Sequence, residues 1–381
     1  MATALINGRV LTATGVRGDL AVLIEGGRIV ALAAAGDARI RDADTHDLAG
    51  HMLLPGFIDV QVNGGGGVLF NDAPTLETIR RIGAAHRQYG TTGFLPTLIS
   101  DDADVMRAAL AAVDAAIEQQ VPGVLGIHLE GPYIAPARRG AHDPAKFRVP
   151  DAREIDLVCS LRRGVTVLTL APEQVSAEVV RELVARDVIV CIGHTAASYE
   201  DARVALAAGA RGFTHLYNAM SPLQGRAPGV VGAALEDRDS WCGIIVDGHH
   251  VHPAALRVAL AAKAAGKLML VTDAMPPVGA DTPSYELYGE VITAVDGVVR
   301  NAAGSLAGSA LDMATAVRNA VQLLGVSLEE AARMASRYPA QFLNVDDRLG
   351  EIAEGYQADL VLLDDALQVR ATWIAGQRED A

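Results

Sequence analysis

Residues 165–194 read VTVLTLAPEQVSAEVVRELVARDVIVCIGH, and this stretch decides the fold class. Val165–Ala171 is a short β-branched run suited to a buried strand. Val175–Arg186 then places apolar residues at i, i+3, i+4 and i+7, as one face of a helix does. Val188–His194 is a second β-branched run. Working outward, the same alternation recurs. Strand candidates precede it at Gly56–Gly64, Thr92–Leu98 and Val124–Gly131, and follow it at Phe213–Asn218, Gly243–Asp247 and Leu268–Asp273. Helical periodicity fills Ala73–Tyr89, Ala103–Gln119, Ser198–Ala208 and Pro253–Ala265. Eight strands joined by helical or loop crossovers predict an α/β chain with an all-parallel sheet. Eight is also the number that closes a (β/α)8 TIM-type barrel with a filled interior. A doubly wound open sheet is the alternative, but it would ordinarily carry a GxGxxG first turn. Gly64–Gly67 follows the first strand without that context and reads as close chain packing.

The two ends differ from the middle. Leu5–Leu53 holds short strands punctuated by Asn7-Gly8, Arg17-Gly18 and Gly26-Gly27, and Glu351–Gln377 repeats the style. Neither end alone can bury both faces of its strands. Together, residues 1–53 and 346–381 are expected to form one small β-sandwich domain, with the catalytic barrel, residues 54–345, inserted between them.

Composition removes several function classes. Among 381 residues, 32 Lys+Arg stand against 46 Asp+Glu, a net charge of −14. Such a chain lacks the basic face that nucleic acid demands. Its apolar stretches are broken well before the roughly 20 residues of a membrane span, and the N-terminus shows no export signal. Three separated cysteines, Cys159, Cys191 and Cys242, give neither a disulfide framework nor a CxxC site. The expected compartment is the cytoplasm. The only lysines are Lys146, Lys263 and Lys267. The last two, in the alanine-rich AAKAAGK, read as the end of a surface helix. Few lysines are available for Schiff-base chemistry or for a lysine-derived metal bridge.

Four chemically apt side chains fall at the C-terminal ends of strands, where barrel enzymes keep their sites: Glu130, His194, His215 and Asp273. One carboxylate and two imidazoles make a three-ligand set that leaves a position for water. Asp273, not needed for coordination, is then placed to take a proton from that water. Any one of these histidines, taken singly, reads first as a hydrogen-bonded core or loop residue, and it is the strand-end placement of all four that points to a site. His128 shares a strand face with Glu130 and reads as support for the ligands rather than as one of them. Asp247-Gly-His-His250-Val-His252 crowds three imidazoles at one strand end, with His252 before Pro253 as a helix start. His142 lies in a polar loop long enough to act as a lid. His46, His51 and His86 read as surface or structural.

The segments PGFIDVQVNG, GIHLEGPY, GHTAASYEDA, FTHLYNAMSPLQGRAPG, IIVDGHHVHP, LVTDAM and GSLAGSAL resemble the N-acetylglucosamine-6-phosphate deacetylase family of the amidohydrolase superfamily. The likeness spans nearly the whole chain. It implies metal ligands at Glu130, His194 and His215, and a catalytic acid/base at Asp273. It also implies substrate contacts at Ala141, His142, Asn218, Ala219, Arg226, Asp247, Gly248, His249, His250, Leu306, Ala307 and Gly308, with His142 assisting catalysis by polarising the amide carbonyl. One departure from the wider superfamily matters. Where the first strand there commonly ends in His-x-His, this chain reads Gln61-Val62-Asn63, and neutral amides are poor ligands beside imidazole and carboxylate. The chain thus resembles the one-metal branch, with one divalent ion per subunit, zinc first and iron, cobalt or manganese as alternatives. The implied reaction is hydrolysis of N-acetylglucosamine 6-phosphate to glucosamine 6-phosphate and acetate. Alternatives are the N-acetylgalactosamine 6-phosphate epimer, another amidohydrolase acting on a different amide, or a catalytically silent sugar-phosphate sensor.

Arg226 follows the sixth strand in a loop, SPLQGRAPG, whose two prolines and two glycines favour a shaped, protruding segment. The family resemblance implies a homodimer in which this arginine reaches the sugar phosphate held by the partner. The other reading keeps Arg226 within its own chain.

Overall fold

The computed structural model describes residues 2–295, 297–301, 304 and 306–381. Its centre is an eight-stranded parallel sheet built from β1 (Phe57–Val62), β2 (Thr91–Ile99), β3 (Gly126–Glu130) and β4 (Val165–Leu170), followed by β5 (Val188–Ile192), β6 (Gly212–Phe213), β7 (Trp241–Ile244) and β8 (Leu268–Leu270). Each strand pairs with its neighbours in sequence from β1 to β8. The two ends meet just beyond the strands, where the Asp273 amide donates to Gln61 O at 3.0 Å and the Asn63 amide to Ala274 O at 2.9 Å. This is the predicted (β/α)8 TIM-type barrel. Strands β1, β2, β3 and β5 are buried along their whole length. Burial on both faces explains why they read as continuous apolar runs instead of alternating ones.

The crossover helices start on capping side chains. Ser176 Oγ accepts from the Val179 amide ahead of helix Ala177–Ala185. Ser198 and Asp201 form a reciprocal capping box at helix Tyr199–Ala207. Gly64 shows what the glycine run is for. A Cβ there would lie 2.5 Å from Val68 O, so the chain packs too closely for any side chain.

Both termini join one satellite. A six-stranded sheet runs in the order Gln377–Asp380, Val369–Ile374, Leu360–Leu363, Met52–Pro55, Arg9–Thr12, Gly15–Arg17. It packs on a four-stranded sheet of N-terminal strands over a core that includes Leu5, Val22, Ile29, Leu53, Leu360 and Trp373. The C-terminal strand Leu360–Leu363 lies antiparallel to Met52–Pro55, so the chain ends are stitched together across the barrel's start.

Two local readings are corrected. The sixth strand, expected to reach Asn218, stops at Phe213, because His215 and Tyr217 adopt left-handed backbone with φ 33° and 78°. Lys263 does cap the end of helix Pro253–Ala262, but its side chain turns inward and the residue is 5 % exposed. Its Nζ donates to Ala234 O at 2.7 Å, to Ser240 Oγ at 3.0 Å and to Asp237 O, collecting carbonyls released where helix Gly229–Glu236 ends. Ala261, Ala262 and Ala265 around it are exposed, which is why the segment read as solvated.

Candidate active site

The C-terminal rim of the barrel gathers the predicted ligands. Glu130 closes β3, while His194 and His215 lie just past β5 and β6. Glu130 Oε1 is 3.0 Å from His194 Nε2 and 2.9 Å from His215 Nε2, and the two Nε2 atoms are 3.0 Å apart. All three side chains are buried. His194 Nδ1 lies 2.8 Å from Arg138 O. A carbonyl only accepts, so Nδ1 carries the proton and Nε2 turns a lone pair toward the cluster. With the His215 imidazole beside them, the Glu130 carboxylate and the His194 lone pair face one point and repel one another unless a cation stands among the three. Nitrogen and oxygen donors in this number suit a divalent transition-series ion, with the second ring nitrogen of His194 fixed by a carbonyl as such ligands require. Burial alone would raise the Glu130 carboxyl, yet the imidazoles of His194 and His215 beside it hold it well below the usual carboxylate range.

Asp273 stands beside this group. Its Oδ1 accepts from Asn63 Nδ2 at 2.7 Å and from Gln61 Nε2 at 3.1 Å, and the same Gln61 amide is 3.1 Å from Glu130 Oε2. The amide pair that replaces His-x-His on β1 therefore holds the two site carboxylates in register. Burial, together with the Glu130 charge, pushes the Asp273 carboxyl up to about 6. Asp273, His194 and His215 all have positive φ (53°, 47° and 33°), a costly conformation that turns each side chain off its strand and into the mouth of the barrel.

Beneath Asp273, Asp59 is fully buried on β1. It accepts from Thr272 Oγ1 at 2.5 Å and from the amides of Gln61 at 3.2 Å and Thr272 at 3.3 Å. Burial pushes its carboxyl up to about 7. Between the ordinary unfolded value of about 3.9 and that folded value, the native state binds the extra proton. This contribution to stability is full below about pH 4 and is lost as pH rises through about 7. Asp59→Asn, which stays neutral, is expected to show a shallower fall in melting temperature across that window than the parent chain. Parallel melting profiles for the two proteins would contradict the assignment.

A cavity of about 180 Å³ opens above these groups. Its wall includes Glu130, His194, His215 and Asp273. Of the residues expected to touch substrate, Ala141, His142, Asn218, Ala219, His250, Leu306, Ala307 and Gly308 also line it. Gly308 has φ 67°, and a Cβ there would meet Met275 Cγ at 2.4 Å, so only glycine lets this wall close. Asp247, Gly248 and His249 lie outside the wall. Asp247 instead holds His250: its Oδ2 is 2.6 Å from His250 Nδ1, and its Oδ1 accepts the amides of His249 and His250 at 2.8 and 2.9 Å. Arg226 is exposed on its loop and makes no hydrogen bond or ion pair through its side chain among the described residues. His128 bonds Thr169 Oγ1 at 2.7 Å and stays out of the ligand group. Burial lowers its imidazole to about 4.

Sequence reasoning missed the roof. A three-stranded antiparallel sheet, Ser284–Leu287, Glu290–Val295 and Val298–Arg300, brings Leu287 into the cavity wall beside Met275 and Ile99. The β-branched run VITAV between Gly289 and Gly297 was a hairpin signal that a search for polar chemistry passes over.

A model of the Amidohydrolase family matches residues 52–378. The chain belongs to the amidohydrolase family. Among its relatives, an N-acetylgalactosamine-6-phosphate deacetylase of Shewanella sp. (strain ANA-3) is 48 % identical over 97 % of this chain and 94 % of its own. An N-acetylglucosamine-6-phosphate deacetylase of Haemophilus influenzae is 36 % identical over 99 % of both chains. The crystal structure of N-acetylglucosamine-6-phosphate deacetylase from Pasteurella multocida superposes with a TM-score of 0.97 at 35 % identity, covering 100 % of each chain. Among the described residues of this amidohydrolase, no helix is long and apolar enough to cross a membrane. They also contain a buried Glu/His/His group able to hold a metal ion.

Proposed function

We propose that this amidohydrolase removes the acetyl group of N-acetylglucosamine 6-phosphate, yielding glucosamine 6-phosphate and acetate. The observation that carries the reading is a carboxyl, Asp273, held by two amides beside a three-donor group inside one small cavity. Glu130, His194 and His215 would hold the ion, one per subunit and zinc first. When bound, such an ion supplies Lewis acidity and a water made nucleophilic near neutral pH. Asp273 accepts the proton of the attacking water and returns it to the nitrogen as the C–N bond breaks, since an amine leaves only when protonated. His142 donates to the amide oxygen as negative charge develops there. His250, braced by Asp247, positions the sugar together with Asn218, Ala219 and the 306–308 wall. A phosphorylated substrate, which does not cross membranes unaided, supports a cytoplasmic location in this reading.

Acetate release from the phosphorylated sugar, with and without chelator, tests this reading. A second reading rests on one observation: the Shewanella relative, named for the galacto epimer, is 48 % identical, against 36 % for the Haemophilus one. Both epimers should be assayed side by side. A higher kcat/KM for the galacto compound would establish the second reading, and acetate from neither would overturn both.

The sugar phosphate needs a cation, since a chain at −14 repels an anion at long range. Arg226 supplies it, in this proposal, to the partner of a twofold homodimer. Its exposure and its lack of side-chain partners among the described residues support that role. Mixing an Arg226→Ala chain with an Asp273→Asn chain under subunit exchange should recover one working site per mixed dimer. Activity that stays at the level of the separate variants, despite verified exchange, would defeat the arrangement.

A further inference from the structure

We propose that Ser100 is a positioning residue that fixes His142 as the tautomer with its proton on Nε2. The inference rests on the reading above, in which His142 donates to the amide oxygen. Ser100 follows β2 directly and is 1 % exposed. Its backbone amide lies 3.2 Å from His142 Nδ1, and its Oγ lies 2.8 Å from the same atom. An amide N–H can only donate. A proton on Nδ1 would therefore face the amide proton, so Nδ1 accepts and the hydroxyl turns to donate to it as well. Neutral His142 must then carry its hydrogen on Nε2.

That nitrogen has no hydrogen-bond partner among the described residues, although its ring lines the cavity. It is left free to donate. The opposite tautomer would present a lone pair to a developing oxyanion and repel it. The support is also rigid. His142 sits in a loop between two short 3-10 turns, Pro136–Arg138 and Pro144–Lys146, whereas Ser100 is mounted on the barrel frame. The pin thus transmits barrel geometry to a loop residue. Ser100 O in turn accepts from Tyr288 Oη at 3.1 Å, which ties the roof sheet to the same point.

Long-range proton–nitrogen correlation on deuterated, zinc-loaded protein with 15N-histidine reports each imidazole's tautomer, and His142→Gln identifies the signal. The parent chain should show His142 protonated at Nε2. Ser100→Ala keeps the amide and loses the hydroxyl. It should let an Nδ1-protonated population appear and lower kcat by about tenfold, the equivalent of one hydrogen bond of about 1.4 kcal/mol, with KM unchanged. Ser100→Thr, which retains the hydroxyl, should restore both. Tyr288→Phe should leave the tautomer as it is, because both donors to Nδ1 remain. Protonation at Nδ1 in the parent chain, or a Ser100→Ala protein with unaltered tautomer and kcat, would overturn the proposal. If instead His142→Gln keeps full activity while the parent spectrum shows Nε2–H, the pin stands and the catalytic reading of His142 falls.

Discussion

Asp273→Asn is expected to lower kcat by roughly 10²–10⁴-fold, the range for a general acid–base group, while metal content and substrate affinity persist. The geometry makes this a clean substitution. Asp273 Oδ1 accepts from Asn63 and Gln61, and an asparagine carbonyl in the same place accepts from both. The fold around the site is therefore retained, and what is lost is a carboxyl able to take a proton from water and return it. Because the proposed ligand group is Glu130, His194 and His215, the variant should bind metal as the parent chain does. Steady-state kinetics and elemental analysis on one preparation check both halves. Near-normal turnover would mean that another group moves the proton.

Glu130→Gln should be the most damaging single change at the ligand group. Its Oε1 lies about equally far from both Nε2 atoms, and it is the only negative charge in the set. A neutral amide of the same shape is a poor ligand between two imidazoles. At the end of β1, Gln61 and Asn63 act as hydrogen-bond donors to the site carboxylates. Metal should be lost on purification, and activity should fall by roughly 10³-fold or more, since a bound ion contributes several kcal/mol at about 1.4 kcal/mol per tenfold. A variant that keeps one equivalent of metal and near-normal kcat would show that Glu130 is not a ligand.

The barrel was legible because its strands are buried on both faces, which leaves uninterrupted apolar runs such as VIVCI between helical segments. Strand ends were less legible. His215 and Asp273 leave extended geometry through left-handed backbone, and periodicity carries no sign of a single residue's φ. Glu130, His194, His215 and Asp273 stood out as polar side chains terminating apolar runs, so a reading of strand ends reached them. Gln61 and Asn63 were visible as the absence of His-x-His, but their bonds to Glu130 and Asp273 join residues 69 and about 210 positions apart and needed the closed barrel. Ser100 gave no signal at all. A serine before two aspartates reads as a helix approach, and its meaning comes wholly from where the loop carrying His142 returns. Lys263 misled for a related reason, since burial of a lysine depends on carbonyls supplied by another helix.

The proposed site takes a single ion from three ligands, with an amide pair where a second ion would otherwise sit. Adding a divalent ion stepwise to metal-free protein, while following bound metal and acetate release together, tests it most directly. Turnover should rise in proportion and level off at about one equivalent per chain. A plateau near two equivalents, or full turnover with no ion bound, would contradict it.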